Sequence, residues 1–146
     1  MKTNLLILLM SAGLVACKKD ALTNEVAAVT GQSFDLPTQR TATLPTSSTP
    51  VSVTLTAVND SRCPIGVQCF LAGYATVEVE LRDAAPAAQI ARISLHTKTI
   101  PGYTADSVQV TLNQRSYSLQ LLDVTPYPGV ENGNPTKIAT LRLRAR

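Results

Sequence analysis

The chain of 146 residues contains no tryptophan and only four tyrosines and two phenylalanines. Aromatic rings are the surfaces on which sugars and nucleic-acid bases stack, so this scarcity leaves few residues for binding of that kind. Charged residues make up 16% of the sequence, and the formal net charge is only +3. Because proteins that bind nucleic acid carry strong basic patches, nothing in this charge balance requires a nucleic-acid partner.

Histidine and cysteine, which carry much of catalysis and metal binding, are also scarce. His96 is the only histidine, and the sequence has three cysteines. Alternation places His96 on the polar face of a predicted strand, and no Gly-x-Ser-x-Gly nucleophile motif accompanies it. We therefore predict that the protein is not an enzyme, has no catalytic residues and binds neither a metal nor a cofactor.

The amino terminus has the pattern of a secretory signal. Lys2 precedes an apolar run at residues 5–10, and small residues lead to the cysteine of Leu14-Val15-Ala16-Cys17. The apolar run is too short to span a bilayer. The four residues that end in Cys17 resemble the bacterial lipobox, which implies cleavage before Cys17 and attachment of diacylglycerol to its sulfur. We expect a signal peptide at residues 1–16 and a mature lipoprotein in the bacterial cell envelope, anchored in the outer membrane.

Lipidation at Cys17 changes how the remaining cysteines are interpreted. Residues 17–30 are polar and rich in alanine, and we expect them to form the lipidated cysteine and a flexible tether. Cys63 and Cys69 are then the only thiols in an oxidising compartment, so we expect a disulfide between them. The competing interpretation is a metal site, but zinc needs four ligands and the sequence adds only His96.

Residues 31–146 alternate between apolar and polar side chains along several segments. The alternation is clearest at residues 51–56 and 75–82, and it recurs at 91–95, 108–112, 117–121 and 139–143, with a shorter candidate at 33–36. A period of two residues predicts strands with one buried face. About seven strands with no helical period indicate an all-β domain, a two-sheet sandwich of immunoglobulin-like type. The alternative is a small closed β-barrel.

The densest local motif lies at residues 59–73, between two predicted strands. Asp60 and Ser61 can bond to nearby amides, Pro64 fixes one φ angle, and Gly66 permits a positive one. With the disulfide closing it, we expect this segment to be a rigid link.

Two interpretations of the loop are open. In the first, Ile65 and Val67 form an exposed recognition tip flanked by Arg62 and Gln68, with Asp60 at its base, and rigidity lowers the cost of binding. In the second, the disulfide only pins a crossover, and Arg62 pairs with Asp60 or a nearby carbonyl. Exposure of Ile65 and Val67 distinguishes the two, because a purely structural loop would bury them.

The segment Asp60-Ser61-Arg62-Cys63-Pro64, followed by Gly66-Val67, Cys69 and Gly73, resembles a family of short, uncharacterised bacterial envelope proteins, many of them lipoproteins. The later segment Val124-Thr125-Pro126-Tyr127-Pro128 resembles the same family. A tryptophan commonly stands in those proteins where this chain has Leu71. The resemblance implies a shared architecture with the disulfide loop as its signature, and it implies no established activity.

The sequence thus predicts a non-enzymatic binding or structural module that is held to the membrane by its N-terminal lipid. Its partner would be a protein or another component of the envelope. The alternative is a protease inhibitor that presents the Cys63–Cys69 loop in a rigid, extended form.

A basic stripe ends the chain. Arg142, Arg144 and Arg146 project from one side of the last predicted strand, with Leu141 and Leu143 on the other. The stripe could bind anionic headgroups or acidic glycans. Charges that protect an edge strand from unwanted pairing have the same pattern, and we interpret the stripe in that way.

The substitution Cys17→Ala is predicted to release the protein from membranes or to leave its signal uncleaved, because the lipid would be attached through the Cys17 sulfur. Cell fractionation with intact-mass measurement checks this. Cys63→Ala is the matched control, since it removes a different cysteine and should leave the protein in the membrane fraction. Wild-type protein that is soluble and retains residues 1–16 would contradict the prediction.

Overall fold

A computed structural model describes residues 25–95, 100–129, 133 and 135–146. Within these ranges the regular structure is entirely β. The strands are β1 Glu25–Ala27, β2 Ser33–Pro37, β3 Thr41–Leu44, β4 Val51–Asp60, β5 Ala75–Arg82, β6 Gln89–Leu95, β7 Thr104–Ala105, β8 Ser107–Leu112, β9 Arg115–Thr125 and β10 Ile138–Ala145. In the described part of the chain, no helix is long and apolar enough to cross a membrane.

The strands form two separate sheets. The first has the order β1-β3-β4-β5-β6-β7, and the second has the order β2-β10-β9-β8. Neighbouring strands run antiparallel, except that β1 is parallel to β3 and β6 is parallel to β7. The predicted all-β, two-sheet sandwich is confirmed. The closed-barrel alternative is wrong, because the strands divide between two sheets.

The core lies between the inner faces of the two sheets. The longer strands bury every second side chain, as the alternation predicted, and the largest fully buried ones include Leu55 and Leu81 from the first sheet and Leu119, Leu121 and Leu141 from the second. Burying one such side chain contributes about 1.5–3 kcal/mol.

Three short strands extend the sheets beyond the predicted set of about seven. β1, β3 and β7 have only three, four and two residues. Runs of that length are too short to show a period of two. Of these, β1 lies within the predicted tether at 17–30, so the folded domain begins at least as early as Glu25.

A β-bulge changes which residues of β4 face the core. The register of β4 against β5 shifts between Leu55 and Ala57. Before the shift the odd-numbered residues point inward, and after it the half-buried residues are Val58 and Asp60. A bulge inserts one unpaired residue and so reverses the alternation that follows it. Asp60 is therefore turned toward the space between the sheets.

The second sheet has a corresponding irregularity at the same end of the sandwich. The register of β10 against β9 shifts between Thr140 and Leu141, and beyond it the buried residue of β9 is Val124. β9 ends at Thr125, which is joined to Pro126 by a cis peptide bond. In both sheets, the alternation of inward- and outward-facing residues is thus offset by one residue at the end where Asp60 lies.

The edge-strand interpretation of the arginine stripe is wrong for Arg142. β10 lies between β2 and β9, and Arg142 is opposite Ser33 on one side and Gln120 on the other. Leu141 and Leu143 point into the core as expected. The alternation shows which side of a strand faces solvent, but it does not show which strands are its neighbours.

The substitution Gln114→Gly is predicted to stabilise the fold by about 0.5–1 kcal/mol. Asn113 and Gln114 form the two-residue turn between β8 and β9 with φ angles of 49° and 62°, a conformation that disfavours residues with a Cβ atom. Gln109→Gly at an exposed position of β8 is the control and should destabilise, since glycine weakens a strand. Urea unfolding measures both, and equal destabilisation by the two changes would contradict the prediction.

Candidate functional site

The stapled loop, residues 61–74, connects β4 to β5 and continues their pairing. The amide of Cys63 donates a hydrogen bond to the carbonyl of Ala72 at 2.8 Å. Above this base, a disulfide joins Cys63 to Cys69, whose Cα atoms are 5.9 Å apart. The predicted disulfide is confirmed. The loop is a narrow extension of the β4–β5 hairpin, closed near its tip by a covalent ring.

Gly73 allows the two sides of the loop base to approach each other. Its φ angle is 70°, and a Cβ atom at this position would overlap the backbone carbonyl of Ser61. Any other residue would both strain the backbone and push the two sides apart. The glycine that closes the motif is therefore required by the geometry of the base.

The tip of the loop is a tight turn over residues 64–67. The amide of Val67 donates to the carbonyl of Pro64 at 3.2 Å, and Gly66 has a φ angle of 81°, as a type II turn requires. The side chains of Ile65 and Val67 are 62% and 58% exposed. Two apolar side chains thus project into solvent from a turn, as the recognition interpretation expected.

Two further apolar side chains stand beside the tip. Phe70 and Leu71, directly after Cys69, are both highly exposed. Residues 63–74 contain no charged side chain. Sequence reasoning missed Phe70 as a site residue because it lies outside any alternating segment. The signal available in the sequence was the adjacent apolar pair Phe70 and Leu71 in a loop segment without charged residues.

The clamp, which comprises Asp60, Arg62 and Lys137, lies beneath the loop. The Asp60 carboxylate accepts hydrogen bonds from Nε and Nη2 of Arg62, each at 2.8 Å, and from Nζ of Lys137 at 2.9 Å. The Asp60 side chain is 2% exposed, that of Arg62 11% and that of Lys137 19%. Because Asp60 ends β4 and Lys137 directly precedes β10, the clamp ties the two sheets together.

The electrostatics of the clamp keep Asp60 and Arg62 charged. Burial raises the pKa of Asp60, but hydrogen bonds from Arg62 and Lys137 outweigh this effect and hold it below its usual value of 3.8. The hydrogen bond to Asp60 raises the pKa of Arg62 above its usual value, against the smaller effect of burial. Neither group can therefore exchange a proton near neutral pH, as a general acid or base must. The clamp is suited to fixing the relative positions of the segments that it joins.

The clamp also fixes the proline segment, residues 124–129, which follows the bulge of β9. Nη2 of Arg62 donates to the carbonyl of Val124 at 2.6 Å. The guanidinium of Arg62 lies over the ring of Tyr127, with Cζ 4.2 Å from the ring centroid. Nζ of Lys137 donates to the carbonyl of Pro126 at 2.6 Å. Both cations of the clamp thus bind the proline segment as well as Asp60.

The proline segment touches the stapled loop directly. The amide of Ile65 donates to the carbonyl of Pro128 at 3.2 Å. Gly129 approaches Pro64 so closely that a Cβ atom on the glycine would overlap the proline ring. The two segments on which the family resemblance rests are therefore in contact. Together they form the stapled end of the sandwich.

Two clefts flank the clamp. A cleft of about 220 Å³ lies between the proline segment and Lys137, and one of about 470 Å³ lies between Arg62, Tyr74 and Asp123. Among their described lining residues, no serine, threonine or free cysteine stands beside a base. Within the described ranges, the side chains of His, Cys, Asp and Glu form no group of three that could hold a metal ion.

The predicted site residues divide between the surface and the base. Gln68 is exposed beside the tip, as expected. Arg62 does not flank the tip on the surface. It lies at the base of the loop, where it bonds Asp60 and a backbone carbonyl, as the structural interpretation expected. Cys17 and His96 lie outside the described residues.

Comparison of the chain with protein-family models, with curated proteins and with solved structures found no match in any of the three. The indication of function therefore comes from the site itself. That site consists of an exposed apolar tip on an ion-paired, hydrogen-bonded base.

The substitution Asp60→Asn is predicted to destabilise the fold by about 3 kcal/mol at neutral pH. The change leaves Arg62 and Lys137 charged without their carboxylate, and both cations are mostly withdrawn from water. Glu80→Gln removes a carboxylate from a more exposed pair with Arg82 and, as the control, should change stability by less than about 1 kcal/mol. Urea unfolding measures both, and equal effects would contradict the role of the clamp.

The contribution of Asp60 should also depend on pH in one direction. Its pKa is lower in the folded chain than its ordinary value of 3.8, so ionisation of Asp60 stabilises the fold fully above that value. The stabilisation is lost as the pH falls through the lowered pKa. The stability difference between wild type and Asp60→Asn should therefore shrink at acid pH. A difference that stays constant down to pH of about 2 would count against this assignment.

Proposed function

We propose that the chain is a lipid-anchored protein of the bacterial envelope that acts without catalysis and binds through its stapled end. The observation that carries the proposal is the exposure of four apolar side chains on one loop: Ile65, Val67, Phe70 and Leu71. Large apolar side chains exposed together on one loop are typical of interaction sites.

The rigidity of the loop supports a binding role. A flexible apolar loop would lose conformational entropy on binding, and this loss would subtract from its affinity. Here the disulfide, the turn at Gly66 and the clamp fix the backbone beforehand. A loop that only pinned a crossover would need none of its apolar side chains in solvent.

The proposed location of the protein in the bacterial envelope rests on two sequence motifs. The lipobox resemblance at Cys17 supports membrane anchoring, and the motif at residues 60–64 supports membership of the envelope family that it resembles. The paired state of the clamp supports a non-catalytic role, since its charged groups already satisfy one another.

The protease-inhibitor alternative requires an extended segment that pairs with the enzyme like a strand. The tip instead reverses direction at Gly66 within four residues. The geometry therefore favours a surface that docks through its side chains over one that docks through an extended backbone.

The double substitution Ile65→Ser with Val67→Ser is predicted to leave thermal stability almost unchanged, because both side chains are more than half exposed and surface changes usually alter stability by no more than about 0.5 kcal/mol. Val77→Ser, in the core, is the control and should lower the melting temperature by several degrees. A large fall in the melting temperature of the double variant would mean that the tip packs into the domain.

The proposed contact is tested by photocrosslinking in intact cells. A photoreactive phenylalanine analogue at position 70 should form adducts, and the Ile65→Ser, Val67→Ser double variant should reduce them severalfold. The control places the same analogue at Ile90, which is half exposed and lies near the start of β6, at the end of that strand away from the stapled loop. Equal adducts at both positions would contradict binding through the stapled end. A protease as the adduct, together with its inhibition by the purified protein, would favour the inhibitor alternative.

A further inference from the structure

The stapled end gathers most of the exposed large hydrophobic side chains of the described residues. Two others, Val29 and Ile90, lie away from it. The side chains at the stapled end are Ile65, Val67, Phe70, Leu71, Tyr74 and Tyr127. Residues 63–74 carry no charge, so these residues of the stapled loop present a largely apolar surface above the clamp, in which Asp60 offsets one of the two cations.

The distribution of side chains within this surface matches a lipid interface. The aliphatic residues and Phe70 are the most exposed, while Tyr74, the last residue of the loop, and Tyr127, which lies over Arg62 of the clamp, are less exposed. Apolar residues that enter the acyl region, with tyrosines at the level of the headgroups, are typical of protein segments that sit in the membrane interface.

The direction of β1 places the anchored side of the chain near this end. Glu25 is opposite Thr41, which in turn is opposite Thr54 of β4. β4 runs from Thr54 toward the stapled loop, and β1 runs the opposite way. The amino end of β1 therefore points toward the stapled end.

The length of chain before β1 is sufficient to carry the anchor beyond the last residue of β4, on the side of the stapled loop. Eight residue steps separate Cys17 from Glu25, and they can span at most about 28 Å. The six steps of β4 from Thr54 to Asp60 cover about 20 Å. An extended tether is therefore long enough to carry the anchor past the level of Asp60, toward the stapled loop.

We infer that the stapled end docks onto the phospholipid bilayer that holds the lipid anchor, with Phe70 and Leu71 inserted at the interface. This inference rests on the proposed function, since it assumes lipidation at Cys17 and binding through the stapled end. The inference adds two points to the proposed function: the surface binds phospholipid, and the domain has a defined orientation on the membrane. The sandwich stands on the membrane on its stapled end, with the β8–β9 turn directed away.

The absence of tryptophan from the chain provides a direct test. The mature lipidated protein carrying Phe70→Trp is reconstituted into vesicles of phosphatidylethanolamine and phosphatidylglycerol that contain brominated phospholipid. The fluorescence of the single tryptophan should shift to the blue and be quenched several times more strongly than that of Ile90→Trp, the control. Leu71→Trp serves as a second probe, and circular dichroism confirms that each variant is folded.

The outcomes separate this inference from the proposed function. If the lipidated protein floats with vesicles but quenching at positions 70 and 71 equals that at position 90, the membrane inference is overturned and binding to a protein partner stands. If protein made in a lipoprotein-processing host carries no lipid and does not float, the proposed function fails and the membrane inference fails with it. Strong quenching at positions 70 and 71 alone supports both.

Discussion

The carboxylate of Asp60 is the group on which the arrangement of the stapled end depends. It receives Arg62 in a bidentate pair and Lys137 from the opposite sheet. Replacing a buried ion cluster by apolar residues often leaves stability unchanged or improves it, so stability alone does not account for this one. Its distinctive contribution is geometry. The planar fork of Arg62 can bond the carboxylate and the Val124 carbonyl while lying over Tyr127, which a lysine could not do.

This geometry couples two loops that are far apart in sequence. The stapled loop follows β4 of one sheet, and the proline segment follows β9 of the other. The clamp and the Ile65–Pro128 hydrogen bond hold them against each other. The disulfide closes only the seven-residue ring from Cys63 to Cys69, so it cannot by itself orient that ring on the sandwich. The fixed base and the exposed apolar tip are thus structurally coupled, because the base determines the direction in which the tip points.

The sequence predicted the features that repeat along the chain or that a motif marks locally. Alternation revealed the long strands, and the pairing of Cys63 with Cys69 followed from cysteine number and compartment. Alternation did not reveal β1 or β3, because these strands are too short to show a period of two residues. The burial of the Asp60 side chain was hidden because the bulge after Leu55 reverses the alternation. Lys137 could not be found as its partner, since a contact across 77 residues leaves no local signal.

The central claim is that the tip of the stapled loop is held rigid in solution although its side chains are exposed. Backbone ¹⁵N relaxation of the folded protein with its disulfide intact measures this directly at Ile65, Gly66 and Val67. The account predicts order parameters close to those of β4 and β5, at about 0.85. Values below about 0.6 at the tip, with rigid strands on either side, would show a flexible loop. The clamp would then not orient a binding surface, and the account would be contradicted.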